Sequence, residues 1–514
     1  MTKKGLDSSF QDGYSLVSST SVDIKEESQK KHRNLKGMGW IVTCLFIVGE
    51  TAGGGLIAMP TAMVAAGFFG GTFMIFIGAL VCSYSGIQLS ENWTILQERW
   101  PEYREHCRKP YPSMGLKAIG RKFQSVVSLC LNFTQFGTAV VFLLLAAKNI
   151  ENFLAAYGNI HVNFCWLVIF VALFMLPFTL LKSPKDFWWA VIGAMITTTI
   201  AVILIITGSI QDYHTCHKFN NYPPVSYSKF FMTFGTVMFA YGGHGAFPTI
   251  QHDMKKPYHF TRSVLLAFLI IASMYFPVSI MGYMSYGDSL RESVIPSLQN
   301  FVIQQAVNML ITLHVILALT IVFNPLNQEF EDLLSIPHEM GYKRVVARTV
   351  MMIAVVFVAE TVPNFGVLLD LVGGSTITLM ALIFPLIFNL FLSAANKKYG
   401  GKMASTEEKP LTIKEMINYT SRAKLGINLT LITIAIVGGL AATISAFRIM
   451  ISSEFSPPCY SGIFSSPAEN EAISESFTVH GMVNCCGVFK NITKLNDLSI
   501  CRDPFAVTTG GSHG

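Results

Sequence analysis

The chain has 514 residues, 51% of them hydrophobic and only 13% charged. That balance excludes a soluble globular protein of this length and fits a polytopic membrane protein. The formal net charge of +6 is no sign of nucleic-acid binding, because the basic residues sit in loops between apolar spans, where their sidedness carries the information.

Residues 1–37 are rich in Ser, Lys and Glu and poor in apolar side chains, the composition of a disordered segment. They hold no apolar h-region, so no signal peptide is expected and the first span inserts as a signal-anchor. Gly13-Tyr14-Ser15-Leu16-Val17 has the form of a tyrosine-based sorting signal, a pattern short enough to arise by chance. Eleven apolar spans follow, at roughly 40–66, 70–93, 124–147, 164–181, 187–210, 230–251, 263–286, 301–324, 346–362, 366–393 and 425–450, each of a length that a bilayer-crossing helix can have. With the N-terminus placed in the cytoplasm, most of the 37 Lys and Arg fall in inside segments, and the opposite side holds only Lys148, Lys218, Lys229 and Arg291 plus those in or near the tail. That bias follows the positive-inside rule. It predicts a cytoplasmic N-terminus and, with an odd number of spans, a C-terminus outside.

The first span carries Glu50, Thr51 and Gly53-Gly54-Gly55 in its middle. Glycines weaken a helix by roughly 1 kcal/mol each against alanine, and a carboxylate at that depth costs a few kcal/mol unless it faces protein or water. Unwound backbone is tolerated there only where it lines a cavity or is buried in protein, so the span reads as a broken helix around a site. The sixth span repeats the logic in Phe239-Ala240-Tyr241-Gly242-Gly243-His244-Gly245-Ala246-Phe247-Pro248, where proline removes a donor and a break is expected near 241–246. The two spans are five apart, the spacing of a five-plus-five inverted repeat with substrate held between two discontinuous helices. Half-helix N-termini suit a carboxylate and exposed carbonyls at the other ends suit an ammonium, which a zwitterionic amino acid matches. The plainer reading is that each glycine set only lets helices pack closely.

After the last span, residues 451–514 contain Cys459, Cys485, Cys486 and Cys501 and a sequon at Asn491-Ile492-Thr493, and the outer loops add Cys165 and Cys216. Cysteines clustered with a glycosylation signal suit an oxidising extracellular or lumenal face. Sequons also begin at Asn92, Asn132, Asn418 and Asn428 in membrane-embedded or cytoplasmic places, so the pattern arises by chance too. The disulfide pairing is left open.

The string G-E-T-A-G-G-G-L-I-A-M-P-T-A-M-V-A-A-G-F (49–68) resembles the first span of the amino acid/auxin permease family. So do Y-P-S-M-G-L-K-A-I-G-R (111–121), T-Q-F-G-T-A-V-V-F-L-L-L-A-A-K-N (134–149), F-A-Y-G-G-H-G-A-F-P-T-I-Q-H-D-M-K-K-P (239–257), A-E-T-V-P-N-F-G (359–366) and L-V-G-G-S-T (371–376) in their places. The resemblance covers about residues 38–450, is strongest to the animal proton-coupled and vesicular branches, and leaves out the tail after 455. It implies an all-α polytopic membrane protein with the LeuT-like fold: ten helices in the inverted repeat, the first and sixth broken, plus an eleventh. It also implies secondary transport of small, neutral amino acids coupled to protons or, in some branches, sodium, at the plasma membrane or an endolysosomal or vesicular membrane. One departure bears on the ion. Sodium-coupled members begin the first-span motif N-A-I-x-G-x-G with an asparagine, whereas Gly49-Glu50 stands here, which favours protons.

On this reading the chain divides into a disordered cytoplasmic N-terminus (1–37), a transporter domain (38–450) and an extracytoplasmic tail (451–514). Thr51, Gly53, Gly54 and Gly55 contact the substrate carboxylate, and Tyr241, Gly242 and Gly243 form the opposite wall. Phe239 shapes the apolar part or simply packs. Glu50 is the leading proton site, the alternative being a structural carboxylate. His244, of a residue type that titrates near neutral pH, shares that role or is a packed histidine beside the break. His314 lines the path or packs, and Thr320 keeps a sodium site open. Glu360 and Asp370, near the ends of the ninth and tenth spans, read as exposed or gate-region carboxylates with a structural role. Asn491 is the glycosylation candidate. No metal-ligand spacing, catalytic constellation or Walker A motif is present, so no metal, cofactor or ATP is expected. An amino acid sensor with little net flux shares this fold and site and stays open; a channel is disfavoured by the paired breaks.

Overall fold

The computed structural model describes residues 33–35, 37–105, 107–158, 160, 162–180, 188–336, 341–404, 408–452, 460 and 486. Within them all regular structure is helical apart from isolated bridges such as Met38–Met254. The sorting pattern at Tyr14, nearly all of segment 1–37, the Asn491 sequon and Cys459, Cys485 and Cys501 lie outside the described residues.

Most residues of the apolar stretches fall on helix, in an order that begins α1 (Trp40–Thr51), α2 (Gly54–Arg99), a short connecting α3 (Pro110–Ala118) and α4 (Arg121–Gly158). Then come α5 (Phe164–Thr179), α6 (Trp188–Cys216), α7 (Tyr227–Ala240), α8 (Phe247–His252), α9 (Phe260–Tyr286) and α10 (Phe301–Leu333). The chain continues through α11 (Tyr342–Thr361), α12 (Phe365–Val372), α13 (Phe384–Lys398), the short α14 (Ile413–Tyr419) and α15 (Arg422–Ser452). Among the described residues, seven helical segments are long and apolar enough to cross a membrane, while α1 and α5 are apolar but shorter. Two expectations change in detail. The first and second spans are not separated by a loop: they run into one another in α2, which turns at Gly67 with φ 73°, a left-handed conformation glycine adopts without a Cβ penalty. The tenth span is not one plain helix either, since between α12 and α13 the backbone widens into π turns at Gly373–Ile377 and Leu379–Ile383, an insertion that often marks functional sites.

Around the site, α2 packs against α9 and α7, α10 against α4 and α6, and α1 against α9 and α6. Asparagine side chains start several of these helices, Asn300 accepting from the amides of Val302 and Ile303 at α10 and Asn364 from Val367 at α12; such caps contribute about 1 kcal/mol each. At several helix ends buried charge is paired. Glu331 closes α10 against Arg344 and Arg348 of α11, and Arg99 at the end of α2 grips Glu408. Between α3 and the end of α10, Lys109 binds Glu329 and Asp332; burial lowers its pKa, but those two carboxylates outweigh the burial and hold it above the usual lysine value. Cys216, at the end of α6, forms a disulfide with Cys486 of the tail, one pairing the sequence left open, and Cys165 is also disulfide-bonded. Tyr460 of the tail stacks on Phe357 and meets the Thr361 hydroxyl on α11.

Candidate functional site: a cavity between two broken helices

Two helices stop in mid-span. After Thr51 the chain leaves α1, passes Ala52 and Gly53 in non-helical conformations and restarts as α2; after Ala240 it leaves α7 and does not resume helix until Phe247. The two segments run antiparallel. The residues entering α1 pair with those leaving α8, through Asn34 N–H to Lys255 O, Met38 N–H to Asp253 O and Lys255 N–H to Met38 O. At the other end Gly67 of α2 meets Val225 ahead of α7, and Thr233 donates to Ala62 O.

The breaks cross where side chains would not fit. A Cβ on Gly55 would stand 2.5 Å from Ala240 Cα, and one on Gly243 would stand 2.6 Å from the Thr51 hydroxyl. These glycines are therefore needed for close approach where the helices break.

Between the breaks lies a cavity lined by Glu50, Thr51, Gly53, Gly54 and Gly55 on one side and by Phe239, Gly242, Gly243, Gly245 and Ala246 on the other. Helices α4 and α10 close it with Leu131, Thr134, Gln135, Thr138, Phe142, Ala318 and Val322, and Ile377 enters from the first π turn. The cavity is small, with about 50 Å³ open to the centres of water-sized molecules. The Thr51 side chain is 6% exposed and its hydroxyl has no hydrogen-bond partner among the described residues. Glu50 likewise makes no ion pair or side-chain hydrogen bond with a described residue. A buried hydroxyl left unsatisfied costs about 1–3 kcal/mol, so a partner arriving in the cavity has that much to recover.

Six residues singled out from sequence lie off the cavity wall. Tyr241, expected on the opposite wall, instead packs its ring against Tyr275 and Phe268 of α9, because its place at the C-terminus of α7 directs it toward that neighbour while the glycines that follow make the wall. His244 is anchored: its Nε2 donates to Cys82 O at 2.9 Å and lies 3.0 Å from Ser85 Oγ, which itself donates to Ala381 O in the second π turn. His314 sits one layer behind. Its Nδ1 donates to Ala194 O at 3.0 Å beside the Thr198 hydroxyl, which leaves Nε2 against Gly53, where any Cβ would collide with it. Thr320 donates to Ile316 O of its own helix. Glu360 and Asp370 are not exposed as expected but buried, at 7% and 6% exposure, Asp370 accepting from the Thr236 hydroxyl; each lies on a helix that faces protein rather than a loop.

Two groups of residues escaped the sequence reading. Thr134, Gln135 and Thr138 put a polar stripe on the cavity face of α4; the i, i+4 and i, i+3 spacing of Thr138 with the other two was the available signal. Tyr275 of α9 donates its hydroxyl toward both Thr51 O, at 3.2 Å, and Ala240 O, at 2.8 Å, and nothing local in its apolar span marks it.

A family model described as transmembrane amino acid transporter protein matches residues 36–417. In Arabidopsis thaliana, the amino acid transporter AVT1B is 24% identical over 393 residues, spanning 75% of this chain and 68% of that protein. The amino acid transporter AVT1J of the same plant is 23% identical over 372 residues, spanning 70% and 84%. A crystal structure of MhsT in complex with L-phenylalanine aligns over 80% of this chain and 100% of that one, at a TM-score of 0.49 and 14% identity, too slight a likeness to add to what the helices show. With its family match running from before α1 into α14 and relatives named as transporters rather than enzymes, this integral multi-pass membrane protein belongs to the transmembrane amino acid transporter family.

Proposed function

We propose that the protein carries small, neutral amino acids across its membrane by alternating access, with the cavity between the two breaks as substrate site and a proton as coupling ion. The observation that carries this reading is one enclosed space lined from both breaks, holding a partnerless hydroxyl at Thr51 and the carboxyl group of Glu50. An amino acid supplies complementary parts. Its carboxylate suits the Thr51 hydroxyl and the first-turn amides of α2 at Gly54 and Gly55, where a helix has donors without intrahelical partners and a positive dipole end. Its ammonium suits the carbonyl side of the breaks. The small volume of the cavity, about 50 Å³, supports a substrate the size of the smallest amino acids. Glu50 in the wall supports proton coupling, and the antiparallel passage of the two broken segments supports the five-plus-five repeat. The Cys216–Cys486 bond and the bonded Cys165 support an oxidising outer face that bears the tail, with the N-terminus cytoplasmic.

The test is uptake by the purified protein in liposomes, with a panel of amino acids at two pH values, with and without sodium. Uptake is expected to favour glycine- and alanine-sized substrates, to rise as pH falls on the side from which substrate enters, and to survive replacement of sodium by choline. Strict sodium dependence overturns the proton assignment. Saturable binding with no net flux overturns transport in favour of a sensor.

A further inference from the structure

The carbonyls at the ends of α1 and α7 are the last acceptors of two helices that stop in mid-span, and each helix end leaves carbonyls without intrahelical donors. The same ends carry partial negative charge. Half-helix C-termini of this kind are where transporters hold a cation. Here the Tyr275 hydroxyl stands between them, 3.2 Å from Thr51 O and 2.8 Å from Ala240 O. A tyrosine has a single hydroxyl proton, so acceptors from two different breaks share it, Thr51 O having the Gly53 N–H as a second donor. Tyr275 is fully buried, its ring lies 5.2 Å from that of Tyr241, and its own carbonyl accepts from Ser279, so the hydroxyl is held in place. Thr51, whose carbonyl it takes, lines the cavity, and its buried hydroxyl stands 2.6 Å from where a Cβ on Gly243 would fall.

We propose that Tyr275 is a positioning residue for transport: its one hydroxyl proton ties the ends of the two broken helices together and sets the spacing between Thr51 and Gly243 across the substrate cavity. It does for these two carbonyls what a bound monovalent cation does elsewhere, and it makes the rearrangement of one break felt at the other. This inference rests on the reading of the cavity as the substrate site.

The experiment compares alanine uptake by wild type, Tyr275→Phe, Gly243→Ala and the double variant in liposomes, with Gly54→Leu as control. Tyr275→Phe keeps the ring and is expected to raise KM about three- to tenfold, the range of one net hydrogen bond, with a melting temperature close to wild type. A Cβ on Gly243 crowds Thr51, and losing the tie lets the breaks separate, so the double variant is expected to show a KM below the product of the single effects by threefold or more. Wild-type KM in Tyr275→Phe overturns the proposal. So do KM effects that multiply while melting temperature falls in parallel, since that is what a merely structural hydroxyl gives. Should Tyr275→Phe fail to fold, 3-fluorotyrosine at position 275 keeps the shape and strengthens the donor; an unchanged KM there overturns the proposal equally. Undiminished uptake in Gly54→Leu shows that the substrate does not use this cavity, which is a failure of the underlying reading and separable from a failure of the tie.

Discussion

The two breaks carry the same sequence signature, three glycines with polar neighbours inside an apolar span, yet they present different chemistry. At the first, only Ala52 and Gly53 are unwound, and the side chains next to them, Glu50 and Thr51, face the cavity without partners among the described residues. At the second, six residues are unwound, the polar side chains of Tyr241 and His244 turn away into protein, and the wall is Gly242, Gly243, Gly245, Ala246 and Phe239. One break offers functional groups and the other offers backbone and shape. The difference follows from where each helix stops. Thr51 ends α1 facing the other break, whereas Tyr241 caps α7 against the aromatic face of α9 and His244 finds two acceptors at Cys82 and Ser85.

The comparison can be broken most severely where the breaks touch. Gly55→Ala places a methyl group against the backbone of Ala240 and is expected to destabilise the fold by about 3 kcal/mol, the upper end for overpacking. Thermal unfolding in detergent measures it, and a wild-type midpoint would mean the helices are not in contact there. Next comes the chemistry of the first break. Glu50→Gln is expected to cut uptake at least tenfold and flatten its pH dependence while surface expression is kept, and a wild-type pH profile removes Glu50 from the mechanism. The matching change at the second break, His244→Gln, is expected to do the reverse, costing about 1–3 kcal/mol of stability through the lost anchor with the pH profile of uptake unchanged. A shifted profile in His244→Gln would make the two breaks alike after all. The smallest effect belongs to Thr51→Val. Losing an unsatisfied buried hydroxyl leaves the unliganded protein as stable as wild type or slightly more so, while KM rises about three- to tenfold; reduced stability with unaltered KM would assign the hydroxyl to the fold instead of the ligand.

Most of the helical architecture and both interruptions were legible before any coordinates, because apolar runs and glycine clusters are local signals. The glycine stretch at Gly53–Gly55 and the residues around Gly242 and Gly243 do line one cavity. Side-chain direction was not legible. Tyr241 and Gly242 are neighbours in sequence, yet one faces α9 and the other the cavity, since leaving a helix re-aims each residue in turn. The continuity of α2 through Gly67 was hidden because a turn at φ 73° looks in sequence like a loop. Tyr275 was hidden for another reason: its acceptors lie 224 and 35 residues away, and no pattern within one span encodes a meeting of three.

The bond between Cys216 and Cys486 closes a covalent ring of sequence separation 270 that contains the second break, α9, α10 and every helix after them. A protease that nicks this ring once, in any loop from Tyr222 onward, leaves both pieces joined. The nicked chain migrates as one species without reductant and as two with it, so a simple gel reports which loops a protease added from one side of the membrane can reach.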